Sequence, residues 1–213
     1  DGVTGASAGN VSVTNNANIS TGTLFTDDVI YGGNAYGIYA QSVGGGGGSG
    51  GEAIAGNLAL SQSASVNVGV SLGGNGSTGG NSGAVTVNNT GDITTRGDQA
   101  AALYAQSLGG GGGSGGRVIN VQLAGSGDGT SINAGAAVGG KGRGGGNGGD
   151  VTVTSSGNLS TGAVSSDTLY GSYGTGIFAQ SIGGGGGAGG SAINAQLAAG
   201  FGGDPAINAA VNI

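Results

Sequence analysis

The chain has 213 residues, 58 of them glycine, with 36% hydrophobic, 4% aromatic and 7% charged residues and a formal net charge of −6. This is far from the composition of an ordinary globular domain, and bulky side chains are too few for a wide hydrophobic core. The absence of Cys, Met, Trp and His removes thiolate and imidazole metal ligands, disulfides and Ser-His or Cys-His nucleophiles, and ten acidic against four basic residues speak against nucleic acid and anionic membranes as partners.

The first block, at 11–21, is Val-Ser-Val-Thr-Asn-Asn-Ala-Asn-Ile-Ser-Thr, and close copies stand at 85–95 and 151–161. The second is Gly-Ile-Tyr-Ala-Gln-Ser-Val at 37–43, with copies whose Ala-Gln-Ser starts at Ala105 and Ala179, 65 and then 74 residues after Ala40 and Ala105. Five glycines follow each copy, from Gly44 to Gly48, Gly109 to Gly113 and Gly183 to Gly187. A third block begins at Ile54, Ile119 and Ile193, and a fourth at Val66, Ile132 and Ile207. The chain is therefore one continuous array of three imperfect repeats averaging 71 residues, roughly 1–74, 75–140 and 141–213. With no basic leader and no long apolar stretch, it reads as a window of a longer chain.

Every block alternates apolar with small polar residues over about five to eight positions, the period of a half-buried strand. Gly, Asn, Thr and Ser occupy what would be helix interiors. The expected fold is all-β, a β-solenoid or β-helix-like repeat with glycine-rich extended segments, and Gly-Gly-Asn-Gly, Asn-Asn and Thr-Gly stretches as turns. Stacking would form three ladders: an aromatic one of Tyr39, Tyr104 and Phe178, an amide one of Gln41, Gln106 and Gln180, and an aliphatic one of Ile19, Ile93 and Leu159. The repeats leave open whether equivalent residues lie on successive coils. A coil of about 20 to 25 residues would put roughly three in each period.

The glycine runs share one length and are each followed by one small residue, Ser49, Ser114 or Ala188, and two more glycines. They are expected to be ordered, β-like or polyproline-II-like, with backbones packed closely at Gly44, Gly48, Gly109, Gly113, Gly183 and Gly187. A phosphate loop is rejected, since no Lys-Ser/Thr and no helix follow the runs. A calcium nonapeptide fits only Gly145-Gly-Asn-Gly-Gly-Asp150, and the equivalent segment ends at Ala84 in place of an acid, so no metal or other cofactor is expected.

Asp28, Asp98 and Asp167 precede the aromatic strands, and Asp27 pairs with the first. Paired carboxylates could cleave a glycan, but capping of turns is the expected role, and no enzyme activity is expected. Asn18, Asp92 and Asn158 read as turn or inward amide-ladder residues. Rows of Thr14, Thr86, Thr152 and Thr154 offer the alternative of a glycan- or ice-binding module. Arg96, Arg117, Lys141 and Arg143 form no evident common face.

The string Gly-Ile-(Tyr/Phe)-Ala-Gln-Ser-(Val/Ile) with its five glycines, preceded by Val-Thr-Val-Thr and Gly-Asn-(Ile/Leu)-Ser-Thr, resembles the passenger repeats of large autotransporter-type, adhesin-like surface proteins of Gram-negative bacteria. The resemblance runs over all 213 residues. It implies an extracellular or cell-surface location and a structural or adhesive role in a fibre, matrix or biofilm. The expected partners are other copies of the chain, joined end to end or side by side, and surfaces or glycans. No nucleic acid and no membrane insertion by this segment are expected.

Overall fold

The computed structural model describes residues 1–24, 30–165 and 168–213. The strands of the first repeat are β1 (Val11–Asn15), β2 (Ile19–Thr21), β3 (Thr23–Leu24), β4 (Ile30–Tyr31), β5 (Ile38–Val43), β6 (Ala53–Ser61) and β7 (Ser65–Leu72). The second repeat contributes β8 (Val85–Asn89), β9 (Ile93–Thr95), β10 (Ala101–Leu108), β11 (Val118–Ser126) and β12 (Ser131–Val138). The third contributes β13 (Val151–Ser155), β14 (Leu159–Thr161), β15 (Ala163–Ser165), β16 (Thr168–Tyr170), β17 (Thr175–Ile182), β18 (Ala192–Gly200) and β19 (Ala206–Asn212). The described residues are all-β, without a helix.

Five three-stranded parallel sheets carry the fold: β1-β8-β13, β2-β9-β14, β5-β10-β17, β6-β11-β18 and β7-β12-β19. In each the second repeat lies in the middle, and equivalent residues pair one to one, as in Val11↔Val85↔Val151 and Ile54↔Ile119↔Ile193. The bonded partners stand 65 to 75 residues apart, so each repeat is a single pass around the stack. Coils of 20–25 residues, three to a period, are not formed. The reason lies in the number of directions the chain takes within one repeat, since five strands and two glycine segments are laid down before the backbone returns to its starting rung.

The apolar core sits between β1-β8-β13 with β2-β9-β14 on one side and β5-β10-β17 on the other. Val85, Val87, Ile93, Ala102, Leu103 and Ala105 are fully buried there, with Val11, Val13, Ile19, Val151, Val153 and Leu159 packed around them. The alternation of the first block supplies this directly, because Val11, Val13 and their copies point one way and Ser12 and Thr14 the other. Each fully buried Val, Ile or Leu contributes about 1.5–3 kcal/mol. Between the first block and the aromatic strand, repeat one carries nine and repeat three eight residues more than repeat two, as the register offsets of 74 and 65 and of 66 and 74 residues show. In those two connections the strands β3 and β4, and β15 and β16, pair antiparallel and join no three-stranded sheet.

The other half of the fold is built from glycine. Residues 44–52, 109–117 and 183–191 run side by side in one layer, and residues 1–10, 73–84 and 139–150 run antiparallel to them in a second. Within the first layer bonds recur every third residue: Gly44 N–H donates to the Leu108 carbonyl, Gly47 to Gly111 and Gly50 to Ser114, at 2.7–2.8 Å. The second layer keeps the same step, with Gly2 donating to Asn75, Gly5 to Thr78 and Ala8 to Asn81. The intervening residues bond across the layers in a zigzag that climbs the stack: Gly187 donates to Arg143, Arg143 to Gly113, Gly113 to Ser77, Ser77 to Gly48 and Gly48 to Val3. A three-residue repeat of this kind is that of a polyproline-II helix, here with its amides bonded to neighbours where an isolated one leaves them to water.

Three faces per turn explain the sequence of each segment. Two faces meet other backbones, and a Cβ on Gly110 or Gly112 would fall on the carbonyl oxygen of Gly45 or Arg143. The third faces solvent, and it carries Gly46, Ser49 and Glu52, then Gly111, Ser114 and Arg117, then Gly185, Ala188 and Ser191. In the second layer the outward residues are Asn75, Thr78 and Asn81, and Lys141, Gly144 and Asn147. The Gly-Gly-Asn-Gly stretches expected as turns, 73–76 and 145–148, are therefore extended, and none of their glycines has positive φ, whereas Gly32-Gly33-Asn34 does turn, with φ of 118° at Gly32 and 59° at Asn34. The expected outcome of an alanine scan is a three-residue rhythm. Gly110→Ala and Gly112→Ala should each cost about 1–3 kcal/mol or more, because backbone must move, whereas Gly111→Ala, whose Cβ meets nothing nearer than the Gly185 oxygen at 3.9 Å, should fall within about 0.5 kcal/mol of the parent. Urea unfolding followed by circular dichroism checks this, and equal losses at all three positions would refute the packing.

Candidate functional surface

Side chains that leave the core form rows along the stacking axis, one member from each pass. On the outer face of β5-β10-β17, Tyr39, Tyr104 and Phe178 are in register. Their rings stack at 4.8 and 4.7 Å with planes 9° apart, and the Tyr36 ring leans on Tyr39 and Tyr104 at 5.4 and 5.2 Å. Rings stacked on one another turn their edges outward, so the row offers no broad aromatic face on which a sugar could lie. Two residues on, Gln41 Nε2 donates to Gln106 Oε1 at 2.6 Å and Gln106 Nε2 to Gln180 Oε1 at 2.8 Å. Ile19, Ile93 and Leu159 also align, but inward, where Ile93 is fully buried in the core.

The glycine positions divide. Gly48, Gly109, Gly113 and Gly187 abut backbone atoms of Val3, Gly146, Gly48 and Gly113 respectively, and Gly44 abuts Gly80. Gly183, on the outer pass, has only the Gly146 oxygen near its Cβ position, at 3.7 Å.

Asp27, Asp28 and Asp167 lie outside the described residues. Asp98 accepts the Ser172 N–H on Oδ1 at 2.8 Å, which is a capping bond between passes. The same bond recurs elsewhere: Asn18 caps Asp92 at 2.9 Å, Asp92 caps Asn158 at 2.8 Å, Asn75 caps Lys141 at 3.0 Å and Asn81 caps Asn147 at 2.8 Å. In each case a carboxylate or amide oxygen takes the backbone N–H of the equivalent residue one pass on. Asn18, Asp92 and Asn158 are exposed, so they do not form an inward ladder. The inward amide row is another one, in which Asn15 Nδ2 donates to Asn89 Oδ1 at 2.7 Å and Asn89 to Ser155 Oγ at 3.1 Å.

A face rich in hydroxyls covers the first block. Ser12, Thr86 and Thr152 form one row and Thr14, Asn88 and Thr154 the next. Of the cations, Arg117 pairs with Glu52 of the preceding pass at 2.6 Å, an exposed pair worth about 0–1 kcal/mol. Arg96 donates to Ser20 Oγ at 2.7 Å. Among the described residues no three carboxylates converge as a metal site would require. Asp150 is exposed, and its carbonyl receives the Val85 N–H at the end of the glycine layer.

Capping by Asp98 was the expected role, whereas the second glycine layer and the caps of Asn75 and Asn81 were not expected from the sequence. The signal for both was present, since Asn75, Asn81, Lys141 and Asn147 each follow a glycine pair or a Gly-Gly step at three-residue spacing, which is the period of a packed extended helix and not of a turn. No protein-family model, curated protein or solved structure matches the chain.

Burial, and then the adjoining Tyr39 and Tyr36 phenols, raise the Tyr104 hydroxyl above its ordinary value. Below about pH 10 the phenol is protonated whether the chain is folded or unfolded, and its contribution is intact. As pH rises further the unfolded chain ionises first, so stability falls until the folded pKa is passed. Tyr104→Phe should therefore leave neutral-pH stability nearly unchanged, as Phe178 fills the same row, and should reduce the loss as pH rises above about 10. Thermal unfolding at stepped alkaline pH measures this, and an identical alkaline loss in both proteins would count against the assignment.

Proposed function

We propose that the chain is a stretch of β-solenoid that serves as a structural, adhesive fibre element on the outside of a Gram-negative cell, without catalytic activity. The observation that carries the reading is the residue-for-residue parallel pairing of successive passes, in sheets whose outermost strands present unpaired edges. Parallel in-register edges accept a further pass of the same kind, from the same chain or another, and propagate the rows of Tyr, Gln and Asn. The glycine layers support the same reading, because their bonds also run from pass to pass. The resemblance of the Ala-Gln-Ser-glycine blocks to autotransporter passengers supplies the location.

A second reading rests on the rows of Ser12, Thr86 and Thr152 and of Thr14, Asn88 and Thr154. Regular exposed hydroxyls suit a glycan or an ice lattice, so the same surface could bind rather than merely display.

Electron microscopy and fibre diffraction of the concentrated chain test the first reading. The expected result is filaments whose length grows with protein concentration, with a 4.7–4.8 Å repeat along the axis. Discrete particles at every concentration, together with binding on a glycan array or ice-growth inhibition, would sink it in favour of the second.

A further inference from the structure

The strand pairs β6 and β7, β11 and β12, and β18 and β19 are arches whose strands stack into two sheets that face one another, and their polarity is inverted. Between the sheets lie Asn67, Asn120, Gln122, Asn133, Ser126 and Ser131, all buried. Asn133 Nδ2 donates to the Leu197 carbonyl at 2.6 Å and Asn194 Nδ2 to that of Gly135 at 2.8 Å, which ties one sheet to the other. Gly69 and Gly135 leave room for the Gln122 and Gln196 amides. The aliphatic side chains of the same strands point outward: Ile54, Leu58, Leu123 and Leu197 are 72, 64, 38 and 60% exposed on one face, and Val66, Val68 and Val70 are 62–67% exposed on the other. Hydrophobic burial therefore contributes little to this half of the stack until something covers these faces.

We infer that the two faces are dry sheet-on-sheet interfaces with second copies of this chain. The argument is one of spacing and area. The rows Ile54/Ile119/Ile193 and Leu58/Leu123/Leu197 flank the smaller row Gly56/Val121/Ala195, giving ridges and a groove that repeat at the strand spacing of about 4.8 Å. A second copy has the same spacing, so its ridges stay in step over any length, as in a steric zipper. A nine-residue strand is about 30 Å long, so each pass adds about 140 Å² of face. Three passes then present about 400 Å² on each side, half of the roughly 800 Å² per partner of a standard interface, and about six stacked passes reach that area on one side alone. A lipid bilayer suits the faces less well, because these sheets are open and hydrocarbon tolerates no unpaired sheet edge.

The inference deepens the fibre reading, whose lateral contacts it names, but it is measured separately. Filament length reports stacking along the axis, whereas filament width and the mass of particles in sedimentation report contact between faces. The 213-residue chain should associate side by side with increasing concentration. The triple variant Leu58→Ser, Leu123→Ser, Leu197→Ser should weaken that association at least tenfold and give filaments of the parent length but reduced width. If short particles form and still pair through these faces, axial assembly fails and the inference stands. Unchanged width and mass in the triple variant, a parent that stays single-width at about 1 mM, or binding to phosphatidylcholine vesicles without self-association would each overturn it. Should the triple variant fail to fold, Leu123→Cys decides, because the chain has no other cysteine. Mild oxidation should then give covalent dimers, while the control Asn88→Cys on the hydroxyl face should give none, and equal yields would overturn the inference.

Discussion

The fold depends on one hydrogen bond repeated in two rhythms, the backbone N–H of one pass to the carbonyl of the next. In the strands it follows the two-residue alternation of a parallel ladder, and in the glycine layers it recurs every third residue. Both must climb the same distance per pass, or the two halves of the molecule would shear apart. Strand spacing sets that distance for the β half. The glycine half can match it only where no Cβ intrudes between the close-packed backbones, which is why Gly110, Gly112 and Gly80 carry no side chain while the outward Ser114 and Arg117, and Ser77 and Arg143 in the second layer, do.

From this constraint follows the division of labour among side chains. Inward apolar residues such as Val87 and Leu103 hold one half by burial. Outward residues act mainly on the copy of themselves in the next pass, through ring stacking at Tyr104, amide bonding at Gln106 and capping at Asp92. None of these contacts needs a partner of a different kind, so a single repeat suffices to specify the array. The stack of arches β6/β7, β11/β12 and β18/β19 departs from the scheme, with amides within and Leu58 and Val68 without, and it is there that the molecule has most to gain from a neighbour.

Much of this was legible in the sequence. The alternation of Val11 to Thr14 and its copies named the strands, and the recurrence of Ala-Gln-Ser set Tyr39, Tyr104 and Phe178 in line. The size of a pass was not legible, because short apolar blocks separated by glycine look alike whether the backbone closes a coil after each block or after all of them. Nor could alternation alone say which side of β6 and β7 faces inward, since period two assigns residues to opposite faces without choosing between them. Gly79-Gly-Asn81 was obscured by a different ambiguity, as glycine serves a turn and a close-packed extended helix equally well.

The three-faced glycine segments also fix what change the repeat can absorb. One residue inserted into 109–117 would turn every later position by a third of a rotation, swinging Ser114 onto a backbone carbonyl and a glycine out to water. Only changes by whole triplets keep phase. The connection between the first block and the aromatic strand has no such rule, and it differs by nine residues between the first two passes and by eight between the last two without disturbing the register on either side. Growth and shrinkage of such an array over generations are thus channelled to its hairpin corners, where new segments can be spliced in while the glycine spine stays the same length.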